Sequence, residues 1–278
     1  MSSSQLRYLF IALSILLAAG LFFAPSQINS KPKTASTDIG KENAKEISEE
    51  QLIASAKESL KDEQKGFISA LEMQLNADSS NLSIYDSLGS AWDEAKIPAA
   101  SAYYFELKAK RSPTEENYLK AAYRYFDAFK LADDSLLRNQ LAQKAISNYS
   151  SVLEINPGNL NAKTDLGVCY AEGTGEPMKG IMMLREVVKE NPEHEMAQLN
   201  LGFLSVKSGQ YAKAVERFNT VMKINPKRTD VYYFLGRTYF EAGKQDSALL
   251  WLNKLKEKSE DYQLIQQAQV LINQMQSN

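Results

Sequence analysis

The stretch EMAQLNLGFLSVKSGQYAKAVERFNTVMKINPKR, residues 195–228, decides the fold. Its apolar residues recur at helical spacing, with small residues placed among large ones. Small residues let two antiparallel helices approach closely, and aromatic residues and leucines fill the space between them. A proline lacks the backbone N–H and clashes with the preceding turn, so it ends the second helix. The residues that define the pattern are Leu201, Gly202, Gly209, Tyr211, Ala214, Phe218 and Pro226.

The same pattern recurs along the chain at a nearly constant period. The Leu-Gly pairs are Leu88-Gly89, Leu166-Gly167, Leu201-Gly202 and Leu235-Gly236; the last two glycines are 34 residues apart and the preceding two are 35 apart. Three residues after each glycine come Trp92, Tyr170, Ser205 and Tyr239, and the second helix carries a small residue at Ser101, Gly180, Ala214 and Ala248. Four residues further on come Phe105, Leu184, Phe218 and Leu252, and three repeats close with Pro113, Pro192 and Pro226. Because no repeat buries its apolar face alone, stacked neighbours must create the core.

On these residues the chain resembles the tetratricopeptide repeat family. The resemblance implies an all-α fold, a right-handed superhelical array of antiparallel helix pairs, with about five repeats over residues 80–260. Residues 229–260 match through Tyr232, Leu235, Gly236, Tyr239, Gly243 and Ala248. A degenerate second repeat fits Tyr118, Ala122, Tyr125, Ala145, Tyr149 and Pro157, with about 11 extra residues near 130–140 that require longer helices or a larger loop. The third repeat has one extra residue in its turn, within 172–177.

Both ends of the array carry further helical patterns. Residues 261–276 place Leu264, Ile265, Ala268, Leu271 and Ile272 on one stripe with glutamines opposite, which predicts a C-terminal capping helix. Residues 47–79 predict one or two amphipathic helices, which form either a degenerate first repeat or an N-terminal cap.

The N-terminus predicts a membrane segment. After a tail at 1–7, residues 8–24 (YLFIALSILLAAGLFFA) contain no charge and at about 1.5 Å per residue are roughly 25 Å long, the lower limit for a transmembrane helix. Their Leu, Ile and Phe residues favour insertion by about 3 to 6 kcal/mol. An apolar run follows Ala18-Ala19-Gly20, and Pro25 follows Ala24, so an uncleaved anchor is favoured over a cleaved signal. Residues 25–46 have few large aliphatic residues and predict a flexible linker.

The side of the membrane is less sharply encoded. Arg7 precedes the apolar segment while Lys31 and Lys33 follow it, which by the positive-inside rule favours a cytoplasmic repeat domain. An apolar segment this close to the N-terminus usually enters as a signal with its amino end inside. We therefore expect a single-pass inner membrane protein with a periplasmic repeat domain, with the cytoplasmic orientation as the alternative.

Composition excludes several functional classes. With 32 Lys+Arg against 34 Asp+Glu, the net charge is -2, which argues against nucleic-acid binding. One cysteine and one histidine cannot form a disulfide framework or a Cys/His zinc site. Cys169 is expected in the core and His194 in an inter-repeat turn, so a Cys–His nucleophile is disfavoured. We expect no catalytic residue, no metal site and no cofactor, and hence no enzyme.

The resemblance also implies where a partner binds. In this family the first helix of each repeat lines an inner face that holds peptide segments. The corresponding partner-binding residues are Tyr123, Phe126, Leu199, Asn200, Phe203, Tyr233, Arg237 and Phe240. With Ser83, Asp86, Ser90 and Asp93 at the N-terminal end, the predicted groove is acidic there and aromatic towards the C-terminus. The alternative is that some of these aromatic residues pack against neighbouring repeats.

A subset of the family grips the C-terminal carboxylate of a chaperone through Lys, Arg and Asn. Only Asn200 matches here, with Thr164, Val168 and Phe234 at other such positions, so a segment with apolar side chains or an amphipathic helix is the expected ligand. The sequence thus predicts a membrane-anchored adaptor, an assembly or scaffold factor in envelope or secretory biogenesis. The alternatives are a self-associating scaffold without a peptide ligand and a non-catalytic subunit of an envelope enzyme complex.

Overall fold

The computed structural model describes residues 47–276, and the regular structure in that range is entirely helical, as the repeat pattern predicts. Short connections join thirteen α-helices there, and the described residues contain no β-strand. The helices are α1 (Glu49–Glu58), α2 (Asp62–Ala77), α3 (Leu82–Glu94), α4 (Pro98–Arg111), α5 (Glu115–Leu131), α6 (Ser135–Ile155), α7 (Leu160–Val168), α8 (Pro177–Glu190), α9 (Glu195–Lys207), α10 (Tyr211–Ile224), α11 (Asp230–Glu241), α12 (Gln245–Lys258) and α13 (Tyr262–Gln276).

The chain divides into two compact units. The N-terminal unit ends at Met183 and the C-terminal unit begins at Leu184. In the N-terminal unit α3 packs on α4 and α5 on α6; in the C-terminal unit α9 packs on α10 and α11 on α12. These pairs are the predicted repeats 1, 2, 4 and 5, and α7 with α8 supplies repeat 3.

The core of the N-terminal unit begins with α1 and α2. Ile53 of α1, Ile68 and Leu71 of α2 share one buried cluster with Leu88 and Trp92 of repeat 1. Ser48 starts α1 with a capping box, in which its hydroxyl accepts the Gln51 N–H and the Gln51 side chain accepts the Ser48 N–H. Residues 47–79 therefore supply two helices to this core; whether they descend from a repeat stays a prediction.

The two helices of a repeat lie in close contact, which explains why the Leu-Gly pair carries a residue without a side chain. A β-carbon added to Gly89 would stand 2.5 Å from the Phe105 ring, and one on Gly202 would stand 2.5 Å from Phe218. These are the small and large positions that the repeat pattern pairs. The large residue thus fills the space that the missing side chain leaves.

The turn between the two helices has the same geometry in repeats 1, 4 and 5. Gly209 and Gly243 have φ of 70° and 71°, and the equivalent residue of repeat 1, Lys96, has φ of 62°. In each turn the following N–H reaches back five residues: Gln210 to the Ser205 carbonyl at 2.8 Å, Lys244 to Tyr239 at 2.9 Å and Ile97 to Trp92 at 3.1 Å. This is the hydrogen bonding of a left-handed helix C-cap.

Repeats 2 and 3 contain extra residues, and these residues are helical. The insertion predicted near 130–140 lengthens the helices of repeat 2, since α5 has 17 residues and α6 has 21. The extra residue of repeat 3 produces a π-helical turn at Cys169–Gly173. The Asn139 amide donates to the Gly173 carbonyl at 3.0 Å, which ties this turn to α6.

The C-terminal unit closes with the predicted capping helix. Leu264, Ala268, Leu271 and Ile272 of α13 are buried in the same cluster as Tyr233 and Leu252. Gln263 and Gln266 are exposed. Four of the five residues predicted for the apolar stripe are thus buried, and the fifth, Ile265, is half-buried.

The membrane predictions fall on residues that the structure does not describe. Over residues 47–276, no helix combines the length and the apolar character that crossing a bilayer requires. The predicted tail at 1–7, anchor at 8–24 and linker at 25–46 lie outside the described residues.

Candidate partner-binding face

The first helices of repeats 1, 2 and 3 present charged and aromatic residues together in the N-terminal unit. An ion pair joins two of these helices, because Nε of Arg124 on α5 donates to both carboxylate oxygens of Asp93 on α3, at 2.7 and 2.8 Å. We call this surface the acidic–aromatic face. Its residues are Asp93, Tyr123, Arg124, Phe126, Asp127 and Asp165.

The two aromatic residues of this face, Tyr123 and Phe126, pack against buried aromatic rings. Tyr123 packs edge-on against Tyr149 with ring centroids 5.9 Å apart, and Phe126 packs edge-on against Phe129 at 5.2 Å. Tyr149 and Phe129 are buried, whereas the Tyr123 side chain remains 38% exposed. An aromatic residue that packs on a buried ring and is still open to solvent is the kind of residue that contributes strongly to protein interfaces.

Two carboxylates of the face are poorly compensated. Asp165 accepts a hydrogen bond from the Tyr149 hydroxyl at 3.1 Å. Burial nevertheless raises the pKa of Asp165 to about 6, and the nearby charge of Asp127 adds to the rise. The pKa of Asp127 is raised as well, by burial and by Asp93, although Arg124 opposes the rise.

Two other acidic residues around this face, Asp86 and Glu172, have cationic partners. Lys108 pairs with Asp86 at 2.6 Å, and Lys130 pairs with Glu172. Among residues 47–276, neither Asp127 nor Asp165 forms a salt bridge. The face therefore carries two negative charges that the described residues leave without an ion-pair partner.

The predicted groove residues of the C-terminal unit mostly contribute to its core. Leu199 is 3% exposed and Tyr233 7%, so both are buried. Phe203 is half-buried, with its ring edge-on to Phe218 at 5.4 Å and to Phe234 at 4.8 Å. Phe240 is half-buried against the same cluster. Several predicted contact residues of this unit thus stabilise its interior.

The two polar groove residues of the C-terminal unit have local partners. Asn200 donates through its amide to the Met196 carbonyl at 2.8 Å. Arg237 pairs with Glu241 one turn later, at 2.8 Å. Both side chains are half-buried, and their contact with a partner protein stays a prediction.

A cavity that sequence reasoning missed lies in the N-terminal unit between the start of α1 and helices α4, α5 and α6. Its volume is about 620 Å³. The Glu106 carboxylate on its wall accepts hydrogen bonds from Tyr125 at 2.7 Å and pairs with Lys110 at 2.8 Å and with Lys144 at 3.5 Å. Burial opposes the charge of Glu106, but these partners outweigh it and hold the pKa below its ordinary value. The signal in the sequence was a glutamate between Phe105 and Leu107 in a helix.

Cys169 and His194 occupy the scaffold positions expected of them. Cys169 is buried at the start of the π-helical turn, and burial raises the pKa of its thiol, with Asp165 adding to the rise. His194 precedes α9, and its Nδ1 accepts the Ala197 N–H at 3.3 Å. Burial lowers the pKa of His194. A thiol of raised pKa and an imidazole used as a helix cap are not the groups that nucleophilic catalysis requires.

Comparison with known proteins agrees with the helix pairs. A family model of the tetratricopeptide repeat matches residues 205–272. A tetratricopeptide repeat protein from Parabacteroides merdae superimposes with a TM-score of 0.59, at 17% identity over 82% of this chain and 86% of that one. PilW, described as a type IV pilus biogenesis factor, superimposes with a TM-score of 0.54, at 14% identity over 78% of this chain and 96% of that one.

A curated relative matches at the level of sequence. RNA polymerase-associated protein CTR9 of Saccharomyces cerevisiae is 27% identical over 119 residues, which are 42% of this chain and 11% of that protein. The chain spans about a tenth of the length of the curated relatives it matches. The family model and the structural neighbours together support a tetratricopeptide repeat protein.

Proposed function

We propose that this protein is a membrane-tethered adaptor that holds a segment of a partner protein against the acidic–aromatic face. The tetratricopeptide repeats support a general role as a scaffold for protein–protein interaction. One observation supports the choice of face: the ring of Tyr123 is exposed on a buried aromatic base, next to carboxylates without salt-bridge partners. Such a surface is suited to binding a partner.

The chemistry of the described residues favours binding over catalysis. Residues 47–276 contain no group of three His, Cys, Asp or Glu side chains arranged to hold a metal ion. Cys169 and His194 serve the core and a helix cap, as described above. The role we propose is therefore non-catalytic.

The membrane tether is the part of the proposal that rests on sequence. The uncharged segment at 8–24 provides the anchor and residues 25–46 provide the reach. We place the repeats on the periplasmic side and assign the protein to the assembly of envelope or secretory complexes. A reporter fused after Asn278 should be active only outside the cytoplasm, and washing membranes with carbonate should leave the protein bound. Reporter activity only in the cytoplasm would overturn the orientation, and release by carbonate would overturn the anchor.

Photo-crosslinking in cells tests the binding face. A benzoylphenylalanine in place of Tyr123 should capture a discrete partner. The matched control is the same residue in place of Glu154, which is exposed on α6 of the same unit. Equal labelling from both positions would contradict the proposal.

A second candidate function is self-association, which exposed apolar residues of the C-terminal unit favour. Leu250 lies on α12, and Tyr262 and Val270 lie on α13, with Tyr262 72% exposed. Sedimentation of the full-length protein in detergent separates the two functions. A concentration-dependent oligomer that Tyr262→Ala abolishes, with no partner captured from Tyr123, would favour self-association.

A further inference from the structure

Three carboxylates around the acidic–aromatic face form ion pairs with cations of the same unit. Asp86 pairs with Lys108, Asp93 with Arg124 and Glu172 with Lys130. These pairs combine each carboxylate with one cation of the same unit, so their formal charges cancel. Among the aspartates of the face, Asp127 and Asp165 are left: Asp127 follows Tyr123 by one helical turn on α5, and Asp165 accepts from the Tyr149 hydroxyl at 3.1 Å.

Asp127 and Asp165 lie beside the aromatic ring of Tyr123, which is accessible to solvent. Tyr149 links Asp165 to this ring, because its hydroxyl donates to Asp165 at 3.1 Å and its own ring packs edge-on against Tyr123 at 5.9 Å. A cation placed here would gain attraction from two carboxylates and, over the face of the Tyr123 ring, a cation–π contact, each stronger where the site is partly dehydrated. Arg124 offsets the charge of Asp127 only in part, because its Nε donates to both carboxylate oxygens of Asp93.

The surroundings discriminate between kinds of cation. A divalent metal ion requires more ligands than two carboxylates, and the described residues offer no group of three ligating side chains. Phe126 and Tyr123 add apolar contact area next to the charges. An ammonium or guanidinium group on a peptide, with an apolar neighbour in the peptide, matches both features.

We infer that the partner segment carries a lysine or arginine whose cation lies between Asp127 and Asp165 beside the Tyr123 ring, with an apolar side chain against Phe126. This inference rests on the proposed function, because it names the chemistry of the segment that the acidic–aromatic face binds. A C-terminal carboxylate, the group that a subset of the family grips, is disfavoured here because its charge has the same sign as that of Asp127 and Asp165.

A peptide selection tests the inference directly. Random 12-residue peptides displayed on phage are selected against the full-length protein in a mild detergent. We expect enriched peptides to share a lysine or arginine next to an apolar residue. For a synthetic peptide from that set, replacement of the lysine by norleucine should weaken binding at least tenfold, and high salt should weaken it as well.

The protein variants identify the site. Asp127→Asn with Asp165→Asn should weaken binding of the same peptide at least tenfold. The control, Asp133→Asn with Glu154→Gln, removes the same charge from exposed positions of the same unit and should leave binding unchanged. Circular dichroism of each variant verifies that the helices remain folded.

The outcomes separate the two proposals. Peptides that depend on Tyr123 but share no cationic residue would overturn this inference and leave the adaptor function standing. Absence of any peptide that Tyr123→Ala weakens would overturn both. Equal loss of binding in the control variant would also overturn the inference, because the effect would then come from net charge alone.

Discussion

The carbonyl oxygen of Gly167 occupies the space that a side chain on Gly180 would need. A β-carbon on Gly180 would stand 2.2 Å from that oxygen and 2.6 Å from the backbone nitrogen of Ala171. In repeats 1, 4 and 5 the corresponding residues of the second helix are Ser101, Ala214 and Ala248, each of which carries a β-carbon. In repeat 3 the obstacle is backbone, so this repeat tolerates no larger residue at its small position.

Gly180→Ala should therefore lower the free energy of unfolding by about 3 kcal/mol or more, the upper range for overpacking. The control is Gly175→Ala in the turn before α8, where an added β-carbon meets no atom within 4 Å. That change should be neutral or stabilise by less than about 1 kcal/mol. Denaturant midpoints of the two variants provide the measurement. Equal midpoints would show that α7 and α8 move apart at little cost to make room for the added methyl group.

Lys96 has a left-handed backbone at a turn where repeats 4 and 5 use glycine. For an L-residue this conformation costs about 1 to 2 kcal/mol, and part of that cost is recovered from the lower entropy of a non-glycine residue in the unfolded chain. Lys96→Gly should thus raise the free energy of unfolding by about 0.5 to 1 kcal/mol. The same substitution at Lys65, exposed within α2, should lower it by about 1 kcal/mol. A loss of stability at both positions would contradict the strain.

Two turns, at Lys96 and at Cys169–Gly173, mark the limit of what the sequence predicts about the fold. The period of the Leu-Gly pairs predicted the helix pairs and the buried Cys169, and the spacing of apolar residues in 261–276 predicted the stripe of the last helix. A repeat pattern names the positions of a turn but not the conformation of an atypical residue such as Lys96. The π-helical turn at Cys169–Gly173 was foreseen only as one residue too many.

The candidate site shows a second limit. Tyr233 and Tyr123 both lie on first helices, yet Tyr233 is buried in a cluster that includes Leu264 and Ala268 of α13, and Tyr123 is exposed. Helical spacing gives the direction of a side chain and not what covers it. The missing ion-pair partners of Asp127 and Asp165 depend likewise on which cations approach from other helices. Neither feature can be derived from one sequence.

Phe203 and Tyr123 follow the small residues Gly202 and Ala122, so they hold the same place in repeats 4 and 2. Their substitutions should nevertheless have different effects. Phe203→Ala removes contacts with Phe218 and Phe234 and should lower the free energy of unfolding by about 3 kcal/mol. Tyr123→Ala removes one edge-on contact and should cost about 1 kcal/mol.

Crosslinking and unfolding of Phe203→Ala and Tyr123→Ala distinguish a residue that stabilises the core from a residue that contacts the partner. Tyr123→Ala should lose the partner captured by a crosslinker at a neighbouring residue of the acidic–aromatic face while remaining folded. Loss of capture in Phe203→Ala at a temperature where that variant is fully folded would instead assign Phe203 to the contact surface.

Asp165 should make the protein less stable as pH rises from about 4 to about 7. Its pKa in the folded chain is about 6, raised by burial and by Asp127, whereas an aspartate in the unfolded chain has its ordinary value near 4. The folded state therefore holds the proton more tightly. The resulting stabilisation is complete below the unfolded pKa and is lost as pH rises through the folded pKa, by up to about 3 kcal/mol.

Asp165→Asn isolates this contribution, because the amide oxygen can still accept the Tyr149 hydrogen bond while the charge is gone. At pH 7.5 the variant should unfold at a higher denaturant concentration than the unchanged protein, and at pH 4 the difference should vanish. Asp133→Asn, at an exposed position, should show no such dependence. A less stable Asp165→Asn at pH 7.5 would mean that the charge is compensated within the fold. The expected gain would instead show that Asp165 is kept ionised at a cost in stability, which a bound cation would offset.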